Sequence, residues 1–141
     1  MIAIRLGTHH KDPAQAKALL DMLRRYPGCC DEVWLCSEYG FPPLETHVAA
    51  AEQWETVAEM FRREGIRVSL QISNTVGHGA YMRGLDNRGL LEERSVRRMV
   101  GANGETANYC FCWADKAFQD YCVRMVKAYA SKTKPYCVWV D

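Results

Sequence analysis

Two acidic residues, Glu38 and Asp141, stand at the ends of strand-like segments and are the candidates for acid–base chemistry. Both fall on the polar side of their strands, and the carboxyl ends of parallel strands meet at one edge. Carboxyl groups there can act as a proton donor and as a nucleophile or base. The structural alternatives are a frayed chain end at Asp141 and an ion pair of Glu38 with Arg5, which would also orient a ligand hydroxyl. We predict Glu38 and Asp141 as catalytic residues and Arg5 as a binding residue.

Four polar residues that follow strand-like segments are candidates for ligand binding. His9 and His10 come directly after the first strand, where histidine can hydrogen-bond hydroxyl groups or titrate near neutral pH. Asn74 and His78 follow the third strand in SNTVGHG, and the glycines beside His78 allow a ligand to approach the backbone closely. The alternatives are exposed loop histidines and a structural turn.

A metal or nucleotide cofactor is not predicted. The pair Cys110-x-Cys112, together with His78, is a candidate metal site. Zinc sites, however, favour two to four residues between cysteines, and no second cysteine pair follows. Buried thiols that anchor the long loop are the alternative. Glycine-rich phosphate loops follow a strand, and this sequence has none in that position.

Four strand-like segments alternate with three helix-like segments, and these elements must position the candidate residues. Asp12-Pro13 and Asp115 are typical of helix N-termini, and Gly65 is typical of the position that follows a helix. The stretch 73–114 is long and irregular, with a predicted hairpin over 99–111 that turns at Asn103-Gly104. The predicted strands are 2–6, 32–38, 66–72 and 136–140.

Each predicted strand has one aliphatic face and one mixed face. Strands alternating with helices favour right-handed crossovers and a parallel sheet. A doubly wound, flavodoxin-like sheet is the alternative, but it needs strands that are apolar on both sides. A barrel explains why one face of each strand is aliphatic and the other is mixed, because helices cover the outside and polar groups line the mouth. The mixed faces carry Arg5 and Gly7; Trp34, Cys36 and Glu38; Ser69, Gln71 and Ser73; and Cys137, Trp139 and Asp141.

The length fits half of such a barrel. The chain has 141 residues, whereas a complete (β/α)8 barrel takes about 250. We therefore predict that residues 1–141 form a single N-terminal half-barrel, with a long insertion at about 73–114. Its first and fourth strands would have exposed edges, which predicts self-association into a homo-oligomer.

Four segments resemble the first half of bacterial TIM-barrel glycoside hydrolases related to β-galactosidase-like barrels. This resemblance implies a carbohydrate substrate and two catalytic carboxylates, one after strand four and one after strand seven. Asp141 ends the fourth strand without the Asn-Glu pair common in such enzymes, and strand seven is absent, so we expect this chain to be inactive by itself. The segments are EVWLCSEYGFP at 32–42, RVSLQISNTVGHG at 67–79, CFCWADKAFQDY at 110–121 and YCVWVD at 136–141.

Aromatic residues in the loops suit stacking on sugar rings. Tyr39 and Trp113 are predicted to bind substrate in this way, and Phe41 and Tyr109 are further candidates. The alternative is that they pack their loops against the core. Two other functions remain open: a metal-dependent sugar isomerase or epimerase barrel, and a half-barrel that binds sugar without catalysis.

Composition excludes several classes of partner. The net charge is +1, from 18 basic and 17 acidic residues, so neither nucleic acid nor an anionic membrane is predicted. No apolar run approaches the roughly 20 residues of a membrane span, and the start lacks a signal peptide. We read the seven cysteines as reduced and the protein as cytoplasmic.

Overall fold

The computed structural model describes residues 1–73, 83–91 and 96–140. Asn74, His78 and Asp141 therefore lie outside the described residues. The strands are β1 (Ala3–Leu6), β2 (Glu32–Cys36), β3 (Arg67–Ile72), β4 (Arg98–Val100), β5 (Thr106–Phe111) and β6 (Val138–Val140). The helices are α1 (Pro13–Arg24), α2 (Leu44–Arg63), α3 (Arg88–Leu91) and α4 (Lys116–Thr133), with a 3-10 turn at Thr8–Lys11.

The main sheet has four parallel strands in the order β1-β2-β3-β6. Neighbours in the sheet follow chain order, unlike the flavodoxin-like order in which the first strand lies inside the sheet. Crossovers that all step in the same direction, with the usual right-handed sense, place α1, α2 and α4 on one face of the sheet. Buried residues of all three helices belong to one core cluster. The parallel sheet is confirmed, with β2 ending at Cys36, two residues earlier than predicted, and β6 beginning at Val138.

The core lies between this face and the three long helices. Alternate strand residues point into it, and fully buried Trp54 of α2 donates its indole N–H to the Cys36 carbonyl at 2.9 Å. The predicted helix caps are confirmed. Asp12 accepts from the Ala14 amide, and Asp115 accepts from the Phe118 amide. The core residues from the main sheet are Leu6, Val33, Leu35, Val68, Leu70 and Ile72.

The opposite face of the sheet, called the open face below, carries polar and aromatic side chains. Trp34 and Trp139 stack with ring centroids 4.5 Å apart, although β3 lies between their strands. Since neighbouring strands are about 4.8 Å apart, the two indoles lean toward each other over β3. This explains why Ser69 of β3 is fully buried. The open face consists of Arg5, Glu32, Trp34, Cys36, Arg67, Ser69, Gln71 and Trp139.

The stretch predicted to be irregular contains two ordered elements in its described part. The predicted hairpin is confirmed: β4 and β5 pair antiparallel, and Gly104, with φ +81°, donates its amide to the Gly101 carbonyl at 2.9 Å. The one-turn helix α3 was not predicted. None of the helices in the described ranges combines the length and apolar character that crossing a membrane requires.

Candidate functional site

The carboxyl ends of β1, β2 and β3 bring polar side chains of the open face into one hydrogen-bonded set. Arg5 donates Nε to the Cys36 sulfur at 3.1 Å and Nη2 to the Tyr39 hydroxyl at 2.6 Å. The Cys36 thiol lies 3.6 Å from Oε1 of Gln71. Arg5 and Tyr39, both predicted as binding residues, are therefore direct neighbours.

Glu38 lies beside this set but faces a different cation from the Arg5 of the structural alternative. Its carboxylate forms an ion pair with Lys11, the last residue of the 3-10 turn, rather than with Arg5. The physical reason is that β2 ends at Cys36, so Glu38 no longer follows the alternation of the strand. Its backbone amide donates to the Tyr129 hydroxyl at 3.0 Å, which fixes this loop residue to α4.

His9 and His10 form the middle of the 3-10 turn. Their ring centroids are 3.9 Å apart, and the ring planes are tilted by 40°. Burial, and then the neighbouring His9, lower the pKa of His10, which favours its neutral imidazole. Nδ1 of His10 is buried and has no hydrogen-bond partner within the described part of the chain.

Ser73 contributes a second buried polar atom of this kind, at the end of β3. Its backbone amide donates to the Ser37 hydroxyl at 2.9 Å, while its own Oγ has no partner among residues 1–73, 83–91 and 96–140. An unpaired buried polar group costs about 1–3 kcal/mol of stability. The sequence placed Ser73 on the mixed face without giving it a role.

The loop 39–43 joins this site to the core and corrects one aromatic prediction. Phe41 is fully buried, so it packs the loop and has no free face for a sugar. Its amide donates to Oδ1 of Asn87 at 3.2 Å, and its carbonyl accepts from the Gly89 amide at 2.9 Å. The loop is therefore held against α3.

The structure brings together only part of the predicted site. Trp113 is separated from it: its ring packs on Phe118 with 5.0 Å between centroids, and it lines an apolar groove with Ile72 and Val140 on the helix side of the sheet. The predicted residues that lie together at the ends of β1 and β2 are Arg5, His9, His10, Glu38 and Tyr39.

A buried polar cluster behind the site was missed by the sequence analysis. His47 of α2 is fully buried, and its two ring nitrogens lie 3.1 Å from the Tyr129 hydroxyl and 2.9 Å from the Tyr121 hydroxyl. The sequence feature that could have identified His47 as buried is its position seven residues before Trp54, which places both residues on the same helical stripe. Val48, which the helical spacing favours instead, is 43% exposed.

Metal binding finds no support in the described ranges, where no three His, Cys, Asp or Glu side chains are grouped to hold an ion. All seven cysteines are free thiols. No protein-family model matches the sequence, and no curated protein matches it significantly.

Proposed function

We propose that the chain forms half of a (β/α)8 barrel and supplies half of the carbohydrate site of a glycoside hydrolase. The observation that carries this proposal is the open face of the sheet, whose polar network lies at the carboxyl edge. Arg5, Cys36 and Tyr39 are hydrogen-bonded to one another there, with Glu38 beside them. Ligand sites of parallel barrels lie at this edge.

The architecture supports the barrel. Three long helices share one face, and the strands follow chain order, as they do in a barrel. The stacking of Trp34 on Trp139 across β3 fits a sheet whose open face is concave. An additional layer of helices on this face would favour aliphatic strand residues in place of Arg5 and Gln71.

The chemistry of the edge suits a sugar. The Arg5 guanidinium and the Tyr39 hydroxyl can hydrogen-bond sugar hydroxyls. The Lys11 ammonium group compensates the charge of Glu38, which suits a nucleophile or base better than a proton donor. The second carboxylate is then supplied from elsewhere, with Asp141 as the sequence-based candidate.

Carbohydrate binding by this chain is the first expected result. Titration with a panel of monosaccharides and aryl glycosides, followed by amide NMR, should shift the resonances of Arg5, Glu38 and Tyr39. Glu38→Gln should weaken binding roughly ten-fold, because hydrogen bonds to charged groups are worth about 1.5–3 kcal/mol. The matched control is Glu59→Gln, an exposed carboxylate on α2 that should bind like the parent chain.

Two results would contradict the proposal. One is the absence of any localised shift at saturating sugar, and the other is equal weakening by Glu38→Gln and Glu59→Gln. Hydrolysis of the aryl glycosides is measured in the same samples. Binding without turnover is expected of the chain by itself.

We also propose that a second copy of the chain covers the outer edge of β6. The outer edges of β1 and β6 have no strand partner among the described residues, and both strands run in the same direction. Two copies related by a two-fold axis along the strands would pair β6 of one with β1 of the other. Such pairing brings the partner's α1, which exposes Met22, toward an apolar groove of about 410 Å³ beside α4.

Val140→Lys should therefore convert a dimer into a monomer. Val140 is 65% exposed at the β6 edge, and a lysine there would place a charge in the proposed interface. Val100→Lys, at a 63% exposed position in the β4–β5 hairpin, is the matched control and should leave the dimer intact. The measurement is light scattering with reducing agent over a range of concentrations. A parent chain that is monomeric throughout refutes the interface.

A further inference from the structure

The buried cluster behind Glu38 has a hydrogen-bond direction that the geometry determines. The Tyr121 hydroxyl donates its single hydrogen to the Pro42 carbonyl at 2.6 Å. Toward His47, 2.9 Å away, the Tyr121 oxygen can therefore only accept. It follows that Nε2 of His47 carries the hydrogen of this contact.

Counting donors and acceptors in the same way determines the direction of the other hydrogen bonds in the cluster. A neutral imidazole with its hydrogen on Nε2 has an acceptor at Nδ1, so the Tyr129 hydroxyl, 3.1 Å away, donates to it. The Tyr129 oxygen then accepts the Glu38 amide hydrogen at 3.0 Å. The chain of donors runs one way, from Glu38 through Tyr129, His47 and Tyr121 to Pro42.

A protonated imidazole would break this order. Both ring nitrogens of His47 would then donate, and the Tyr129 oxygen would face two donors, the imidazolium and the Glu38 amide. The Tyr129 hydrogen would lose its acceptor in a fully buried place. The charged group that acts on the ring is Lys11 of the 3-10 turn, and its positive charge opposes a second cation. The phenols of α4 are kept neutral, because burial raises the pKa of Tyr121 and of Tyr129.

The two ends of this chain hold the two ends of one loop segment, 38–42, that leads away from β2. We propose that His47 is a positioning residue that fixes the Glu38 backbone through Tyr129 while fixing Pro42 through Tyr121. This role for Glu38 rests on the proposed function, whereas the direction of the hydrogen bonds does not. Because all three side chains of the cluster are buried, no ligand needs to touch them.

Imidazole NMR on the unmodified chain tests the hydrogen-bond direction. At pH 7, ¹⁵N resonances of His47 should show a protonated Nε2 and an unprotonated Nδ1, in slow exchange with water. His47→Gln assigns the signals, since His9, His10 and His78 give the competing resonances. An Nδ1–H tautomer, or an imidazolium at pH 7, would overturn the inference.

Amide exchange tests the positioning role. Tyr129→Phe removes the acceptor of the Glu38 amide and should speed hydrogen exchange of that amide roughly ten-fold, the equivalent of one lost hydrogen bond. Tyr121→Phe frees Pro42 and should change Glu38 exchange less, and exposed Tyr26→Phe is the control that should change nothing. An unchanged Glu38 rate in Tyr129→Phe overturns the role.

The sugar titration separates this inference from the proposed function. If the parent chain binds sugar, Tyr129→Phe should weaken binding several-fold while Tyr26→Phe does not. If the parent chain binds no sugar, the proposed function fails, and the imidazole and exchange measurements still decide the direction of the hydrogen bonds and whether Tyr129 holds the Glu38 amide.

Discussion

The Trp54→Ala variant is expected to lose about 3–5 kcal/mol of unfolding free energy, a large share of the roughly 5–15 kcal/mol of a typical domain. Trp54 has no exposed surface and is among the largest buried side chains between α2 and the sheet. Truncation leaves a cavity that the surrounding core fills only in part. It also removes the donor to the Cys36 carbonyl, at the point where β2 ends beside the candidate site.

Urea denaturation followed by circular dichroism, with reducing agent for the free thiols, measures this loss. Trp54→Phe helps to separate the two causes, because it keeps most of the side-chain volume while it removes the indole N–H together with a smaller part of the ring. We expect that variant to lose about 1–3 kcal/mol. A Trp54→Ala chain within about 1 kcal/mol of the parent would show that this part of the core is packed differently.

Acidification from pH 7 to pH 4 is expected to remove about 3 kcal/mol of stability through His47 alone. Burial lowers the pKa of His47 from 6.5 to about 4 in the folded chain. Between these two values the unfolded chain binds a proton that the folded chain does not. Unfolding free energy therefore falls as the pH drops through 6.5 toward 4, and the contribution of His47 levels off below that.

Urea titrations at a series of pH values, on the parent and on His47→Gln, isolate this contribution as a difference. Carboxylates act at lower pH and equally in both chains: backbone hydrogen bonds, from Ile2 and Arg97 respectively, lower the pKa of Asp31 and of Asp115. The parent curve should be steeper than the variant curve between pH 6.5 and 4. Parallel curves over this interval would exclude a buried neutral histidine.

The features that the sequence predicted correctly are local ones. The alternation in β2 and β3 separates aliphatic from polar side chains, because successive residues of a strand point to opposite faces. Asp115 and Gly104 act through contacts with residues three positions away, so the neighbouring residues in the sequence are enough to predict their roles. Arg5 and Tyr39 were named separately as binding residues, and the parallel pairing of β1 with β2 brings them within hydrogen-bond distance.

What the sequence could not predict depends on contacts between distant segments. An ion pair of Glu38 with Arg5 was the structural alternative, but the end of β2 is set by how the following loop packs on α3 and α4. The partners of His47 lie 74 and 82 residues further along the chain. Spacing shows that such a histidine is on the apolar stripe, and only the packing of α2 against α4 shows what it binds.

The stacked indoles of Trp34 and Trp139 give the open face an intrinsic optical signal. Two indoles with centroids 4.5 Å apart are close enough for their excited states to couple, which produces a paired positive and negative circular dichroism band. Any molecule that slides between the rings, or any bending that spreads β2 from β6, would abolish that band. A change in this circular dichroism band would thus report a molecule bound at the open face, without an attached label.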